Sequence, residues 1–164
     1  MRSAGSTGGD GHRPYDRRMT IQRMDNVLIV VDDLDAVIAF FTELGLEPDG
    51  RWSVEGRWVE RVVGIDGVRQ DVAMLRMPDG HGRIELARFR TPAAIRPEPE
   101  NPPANTLGIR RIMFAVDDID DTVARLRGRG AELVGEIAQY EQAYRLCYVR
   151  GPENIVVGLA EELG

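Results

Sequence analysis

Val30-Val31-Asp32-Asp33-Leu34-Asp35 returns 85 residues later as Ala115-Val116-Asp117-Asp118-Ile119-Asp120. The same offset aligns Gly45 with Gly130 and Asn26-Val27 with Arg111-Ile112. Towards the end of each half, Pro78 and Pro152 precede Ile84-Glu85-Leu86-Ala87 and Val157-Gly158-Leu159-Ala160. A repeat of this period is read as two copies of one supersecondary unit. The copies span 21–90 and 107–162, and together form one domain, 21–162. Between them, residues 91–106 hold five of the nine prolines, Pro92, Pro97, Pro99, Pro102 and Pro103. Proline has no N–H for a sheet ladder and stiffens the chain, so this stretch is a connector.

Each copy opens with a strand. Val27, Ile29 and Val31 alternate with Asn26, Leu28 and Val30, and Ile112, Phe114 and Val116 with Arg111, Met113 and Ala115. A helix follows. Asp32 or Asp33, and Asp117 or Asp118, can cap its free N–H groups, where a carboxylate also meets the positive end of the dipole. Leu34, Val37, Ile38, Phe41 and Leu44 fall at helical spacing, as do Ile119, Val123 and Leu126. Gly45 and Gly130 stand where a left-handed residue ends a helix. Strand-like runs follow at about 69–76 and 82–89, and at 131–138, 143–150 and 154–160. Residues 51–63 read either way: Trp58, Val59 and Val62 keep helical spacing while the β-branched content favours a strand. The result is an α+β fold of two βαβββ modules.

Length and charge bound the function. One chain of 164 residues with 43% hydrophobic and 29% charged residues has the balance of a globular domain. No apolar run nears the ~20 residues of a membrane span. The net charge of −6 argues against nucleic acid, whose phosphates need a basic field. One cysteine, Cys147, excludes an internal disulfide, and two histidines, His12 and His81, exclude a site of several imidazoles. Residues 1–18 carry four arginines against two aspartates, +4 − 2 = +2, leaving −6 − 2 = −8 on the rest. That Gly-rich opening has no apolar period and no secretory core, so residues 1–20 are expected to be a disordered tail.

Paired βαβββ modules, with VDD(L/I)D leading each helix and PDG…IELARF and GPEN…VGLAEEL closing the halves, resemble the vicinal oxygen chelate superfamily. This is the group of glyoxalase I, bleomycin-resistance proteins and extradiol dioxygenases. The resemblance implies a curved, cup-shaped mixed sheet with helices outside, and a cytoplasmic homodimer acting on a small organic molecule. In metal-dependent members it implies a divalent ion held by His or Gln, Glu, His and Glu from the first and last strands of each module. Those positions fall at Asn26, Glu85, Arg111 and Gly158, and only Glu85 matches. A guanidinium has no lone pair to give and glycine no side chain, so the standard metal centre is expected to be absent. A non-standard divalent site of Glu85 together with loop carboxylates such as Glu60, Asp71 or Glu141 is the alternative.

Several roles stay open. Period 2 suggests that Asn26, Glu85, Arg111 and Gly158 face one concave side, with Arg111 in the metal's place and paired to Glu85. Arg111 can hold a substrate carboxylate, carbonyl or enolate, or the pair can be a structural salt bridge. Glu85 is a candidate general base if burial raises its pKa. Tyr148 joins Asn26, Glu85 and Arg111 as a candidate ligand-binding residue, and Tyr140, Tyr144, Trp52 and Trp58 can be core or cavity lining. His81 reads as a solvated turn residue, Cys147 as a buried small apolar one, and Arg110 and Arg145 as surface charges. Two function classes follow: a lyase, isomerase or dioxygenase relative, and a non-catalytic protein that sequesters a compound.

Overall fold

The computed structural model describes residues 21–164; the expected tail and His12 lie outside the described residues. The first module runs β1 (Asn26–Val30), α1 (Leu34–Leu44), β2 (Glu47–Glu55), α2 (Arg57–Val63), β3 (Arg69–Arg76) and β4 (Arg83–Thr91). The second runs β5 (Ile112–Ala115), α3 (Ile119–Gly128), β6 (Glu132–Leu133), β7 (Ala138–Tyr140), β8 (Tyr144–Arg150), a 3₁₀ turn (Pro152–Asn154) and β9 (Val156–Glu162). The expected α+β class with repeated βαβββ units is what forms. The ambiguous stretch divides between the end of β2 and α2, with Gly56 as the break.

Strand order is β1-β4-β3-β2 in one sheet and β5-β9-β8-β6 in the other, with β7 on β8. The first and last strands of each module pair in parallel, and the remaining pairs are antiparallel. The edge strands β1 and β5 do not pair with each other, so the chain holds two mixed sheets. Asp33 and Asp118, not their neighbours, cap the helices: their Oδ1 atoms accept from the N–H of Ala36 at 3.0 Å and of Asp121 at 2.9 Å. Gly45, at φ +117°, ends α1 by donating to the carbonyls of Phe41 and Thr42.

One core joins the modules. Val37, Phe40 and Phe41 of α1 and Ile119, Val123 and Leu126 of α3 pack with Leu75 and Leu86 from the first sheet and Phe114, Val149, Val157 and Leu159 from the second. Each sheet therefore turns one face to the helices of this core. Polar contacts seal the seam. Glu43 of α1 accepts from Arg129 Nε at 3.0 Å and lies 3.3 Å from Arg125 Nη1. The hydrogen bonds from Arg125 and then Arg129 hold the Glu43 carboxyl below the usual range. Val54, Val59, Val68, Val72 and Ala87 form a second, smaller core, which fixes α2 on the face of the first sheet opposite α1. Among the described residues no helix is long and apolar enough to cross a membrane.

Among the described residues Asp71 is the one buried carboxylate, accepting from Ser53 Oγ at 2.7 Å and from Arg90 Nε at 2.7 Å. The Ser53 hydrogen bond first, then Arg90, hold its pKa below 3.8. A depressed folded pKa contributes stability that is present above the unfolded value and lost as pH falls through the folded one. Asp71→Asn is expected to cost about 1–2 kcal/mol at neutral pH. It should also flatten the acid limb below pH 3.8 in melts across pH; an unchanged limb would remove this assignment.

Candidate functional site

Cross-strand register defines the two sheet faces turned away from α1 and α3. On the first sheet Leu28, Glu85 and Met74 stand side by side, as do Val30, Ala87 and Val72. On the second, Met113, Gly158 and Tyr148 are the matching row. Asn26 starts β1 on the same face as Glu85, and Arg111 immediately precedes β5 on the same face as Gly158 by period 2. The expected grouping thus holds within each sheet: Asn26 with Glu85, Arg111 with Gly158.

The expected Arg111–Glu85 pair does not form within the chain. No ion pair involves either residue among the described residues. Instead the Arg111 guanidinium lies over the Tyr148 ring, 4.4 Å from its centroid, a cation–π arrangement. The physical reason is the break between β1 and β5: period 2 assigns a face, but only a continuous sheet would bring the two faces together. Glu85 is half-buried and Asn26 donates from Nδ2 to Asp25 at 3.4 Å.

The four family positions do not make a divalent site. A Cβ at Gly158 would lie 2.6 Å from Met113 Sδ, 2.9 Å from its Cε and 3.4 Å from Tyr148 Cδ1. The space where the family's last carboxylate would project is filled by Met113. Arg111 adds a fixed positive charge, leaving one amide and one carboxylate on the other sheet as donors. The alternative donors do not gather around Glu85. Asp71 is bound by Ser53 and Arg90, Glu60 accepts from Gly67 N at 2.9 Å, and Glu141 is exposed beyond β7. Among the described residues no three His, Cys, Asp or Glu side chains gather as a metal group.

What the chain does build is a cavity of about 480 Å³ between β1, the Pro-rich connector and one end of the second sheet. Such a volume suits a small organic molecule. Val27–Val30 form one wall, Pro97, Pro99 and Pro102 another, and Ile112, Tyr148, Ile155 and Val156 the base, with Arg110, Arg111 and Arg150 among them. The connector is held by Arg96 on Asp32 (2.7 Å), by Arg150 on Asn101 and by Asn154 Nδ2 on the Glu100 carbonyl (3.3 Å). None of the three lining arginines has a carboxylate within 4.0 Å among the described residues. Of the three lining carboxylates, Glu153 accepts from the N–H of Asp32 at 2.6 Å, on the positive end of α1, Glu100 lies 3.5 Å from Arg96, and Glu98 has no cation within 4.0 Å among the described residues.

Sequence reading found Arg111 and Tyr148 but not the rest of this lining. Asn26, Glu85 and Gly158 do not line the cavity. Arg110, expected at the surface, does; Arg145 instead bridges Asp120 at 2.6 Å and Glu161 at 3.6 Å. Trp52 and Trp58 are exposed, as are Tyr140 and Tyr144. Cys147 is buried in the core, and burial pushes its thiol pKa up. His81 is an exposed turn residue whose N–H donates to Asp79.

Tandem βαβββ modules, each keeping one sheet face clear of the shared helical core, define a domain of the vicinal oxygen chelate type. The chain belongs to the Glyoxalase/Bleomycin resistance protein/Dioxygenase superfamily, whose model matches residues 23–159. It is 54% identical to a glyoxalase family protein from Bacillus cereus, covering 90% of this chain and 99% of that one, with a TM-score of 0.86. Two more distant structures share the fold. Trypanothione-dependent glyoxalase I of Leishmania major is 19% identical, with 87% of this chain and 88% of that one covered and a TM-score of 0.60. An antibiotic binding protein from Streptomyces sp. is also 19% identical, with 88% and 98% covered and a TM-score of 0.54. No curated protein matches the chain.

Proposed function

We propose that this chain binds an anionic, carbonyl- or carboxylate-bearing organic molecule without a divalent metal, as a cytoplasmic homodimer. The observation that carries the reading is Arg111: a guanidinium stacked on Tyr148, lining a cavity of about 480 Å³, with no carboxylate partner among the described residues. It supplies in one residue the positive charge a metal would supply, plus a planar fork that fits a carboxylate or enolate. Met113 in the space of the missing fourth ligand supports the same reading. The Streptomyces relative shows that this fold serves binding as well as glyoxalase chemistry. Binding is the reading we favour here, because Glu85, the candidate base, does not line the cavity that Arg111 lines. The dimer reading rests on Leu28, Val30 and Met113, large apolar side chains 44–49% exposed on the faces that α1 and α3 leave uncovered.

Two titrations test this. Zn²⁺, Ni²⁺, Mn²⁺ and Fe²⁺ should leave the melting temperature unchanged; a tight stoichiometric ion abolished by Glu85→Ala would restore a metalloenzyme. Phenylpyruvate, which carries a carbonyl, a carboxylate and a ring, should bind, and Arg111→Gln should weaken it about 10–100-fold, the scale of a charge-assisted hydrogen bond. Equal affinity for the variant would remove Arg111 from the site. Product formation from any such ligand, lost in Glu85→Gln, would move the chain to the enzyme class.

A further inference from the structure

We infer that the cavity takes a carboxylate whose body is an extended, amide-bearing chain, such as a short peptide-type compound, held along the open edge of β1. This rests on the anion-binding reading above and names the ligand class. β1 ends its sheet, with β4 on one side only. In a parallel ladder alternate residues bond to the neighbour. Val31 N–H donates to the Ala87 carbonyl at 2.9 Å, so Val27, Ile29 and Val31 face β4. Leu28 and Val30 therefore turn both N–H and C=O to the other edge. That edge lines the cavity. Among the described residues no backbone hydrogen bond from the connector or from β5 reaches it.

The cavity therefore presents two donors and two acceptors about 6.8 Å apart per pair, the two-residue repeat of an extended strand. Of the connector residues that line the cavity, Pro97, Pro99 and Pro102 have no N–H to offer, and those of Glu98, Glu100, Ala104 and Thr106 make no backbone hydrogen bond to β1. Unpaired backbone groups along one wall of a cavity favour a ligand that supplies the complementary amide pattern. Arg110, Arg111 and Arg150 supply the terminus for a carboxylate, and the Tyr148 ring a stacking surface for the chain.

The test uses three probes with the full-length protein, followed by calorimetry. These are benzoylglycylglycine, its C-terminal carboxamide, and the analogue N-methylated at both amides. The acid should bind saturably, and both other probes should bind about tenfold or more weakly, since each loses two neutral or one charge-assisted hydrogen bond. If N-methylation changes nothing while the carboxamide is weakened, the edge inference is overturned and the anion reading stands. If the carboxamide binds as well as the acid, the anion reading fails. No saturation by the acid below about 10 mM overturns the inference, while the phenylpyruvate titration still judges the anion reading. Leu28→Pro gives a second arm. The Leu28 N–H lies outside the β1–β4 ladder, and an edge strand tolerates proline at such a position. The variant should keep its fold and bind benzoylglycylglycine about two- to tenfold more weakly than the native chain does, the scale of one neutral hydrogen bond. Should Leu28→Pro instead change the oligomeric state and leave the affinity untouched, the edge belongs to a second copy and the inference falls. If the variant does not fold, the probe series on the native chain decides.

Discussion

Phe41→Ala is expected to cost about 3–5 kcal/mol, the range for a large aromatic removed from a packed core. Phe41 is fully buried. Its ring meets Phe40 edge-on, centroids 5.3 Å apart at 74°, and Phe114 at 6.5 Å and 63°. Phe40 belongs to the same helix, but Phe114 lies on β5 of the other module. The alanine would therefore leave a cavity on the seam between the two copies, where neither sheet can collapse into it without moving the other. For a chain of this length the melting temperature should fall by about 6–20 °C. Val62→Ala, at a side chain 78% exposed, is the control and should stay within about 0.5 kcal/mol. A loss for Phe41→Ala below about 1.5 kcal/mol would mean that the modules are not held by this core.

The same seam explains what the sequence made legible and what it did not. The repeated VDD(L/I)D announced both helices because capping is local: Asp33 and Asp118 need only reach N–H groups three residues on. The apolar spacing of Leu34, Val37 and Phe41 named the buried face of α1 for the same reason. α2 escaped because seven residues hold too little period to separate helix from strand; Gly56 and the small core around Val59 decide it. For the site, alternation put Arg111 on the same face as Gly158, but gave no reason to set the guanidinium on the Tyr148 ring. It could not say that the faces of Glu85 and Arg111 belong to separate sheets, since alternation says nothing of where one sheet stops. Nor could it find Arg150 or the connector wall. Those meet through contacts between residues 49 and 54 positions apart, Arg150 with Asn101 and Asn154 with Glu100.

The second large effect is expected at Gly151, where stability and the cavity are coupled. Gly151 opens the 3₁₀ turn at φ −96° and ψ −160°, a conformation any residue adopts, so backbone freedom is not the reason for glycine here. Space is. A Cβ would lie 2.7, 2.8 and 3.1 Å from Cζ, Cε2 and Cδ2 of Phe40, whose ring is buried and wedged against Phe41. Gly151→Ala should therefore cost about 1–3 kcal/mol by overpacking. The strain has one cheap outlet, displacement of the turn itself. That turn carries Glu153, whose carboxylate caps the N–H of Asp32, and Asn154, which ties down the connector through Glu100. Both residues line the cavity. The variant should accordingly lose affinity for phenylpyruvate as well as melting temperature, although residue 151 itself does not line the cavity. Phe40→Leu supplies the check. In that background the added methyl has room, so Gly151→Ala should cost at least about 0.5 kcal/mol less, a coupling that contact residues show and distant ones do not. Strictly additive losses would place the strain elsewhere. A fall in stability with native affinity would show that the turn can move without disturbing the ligand.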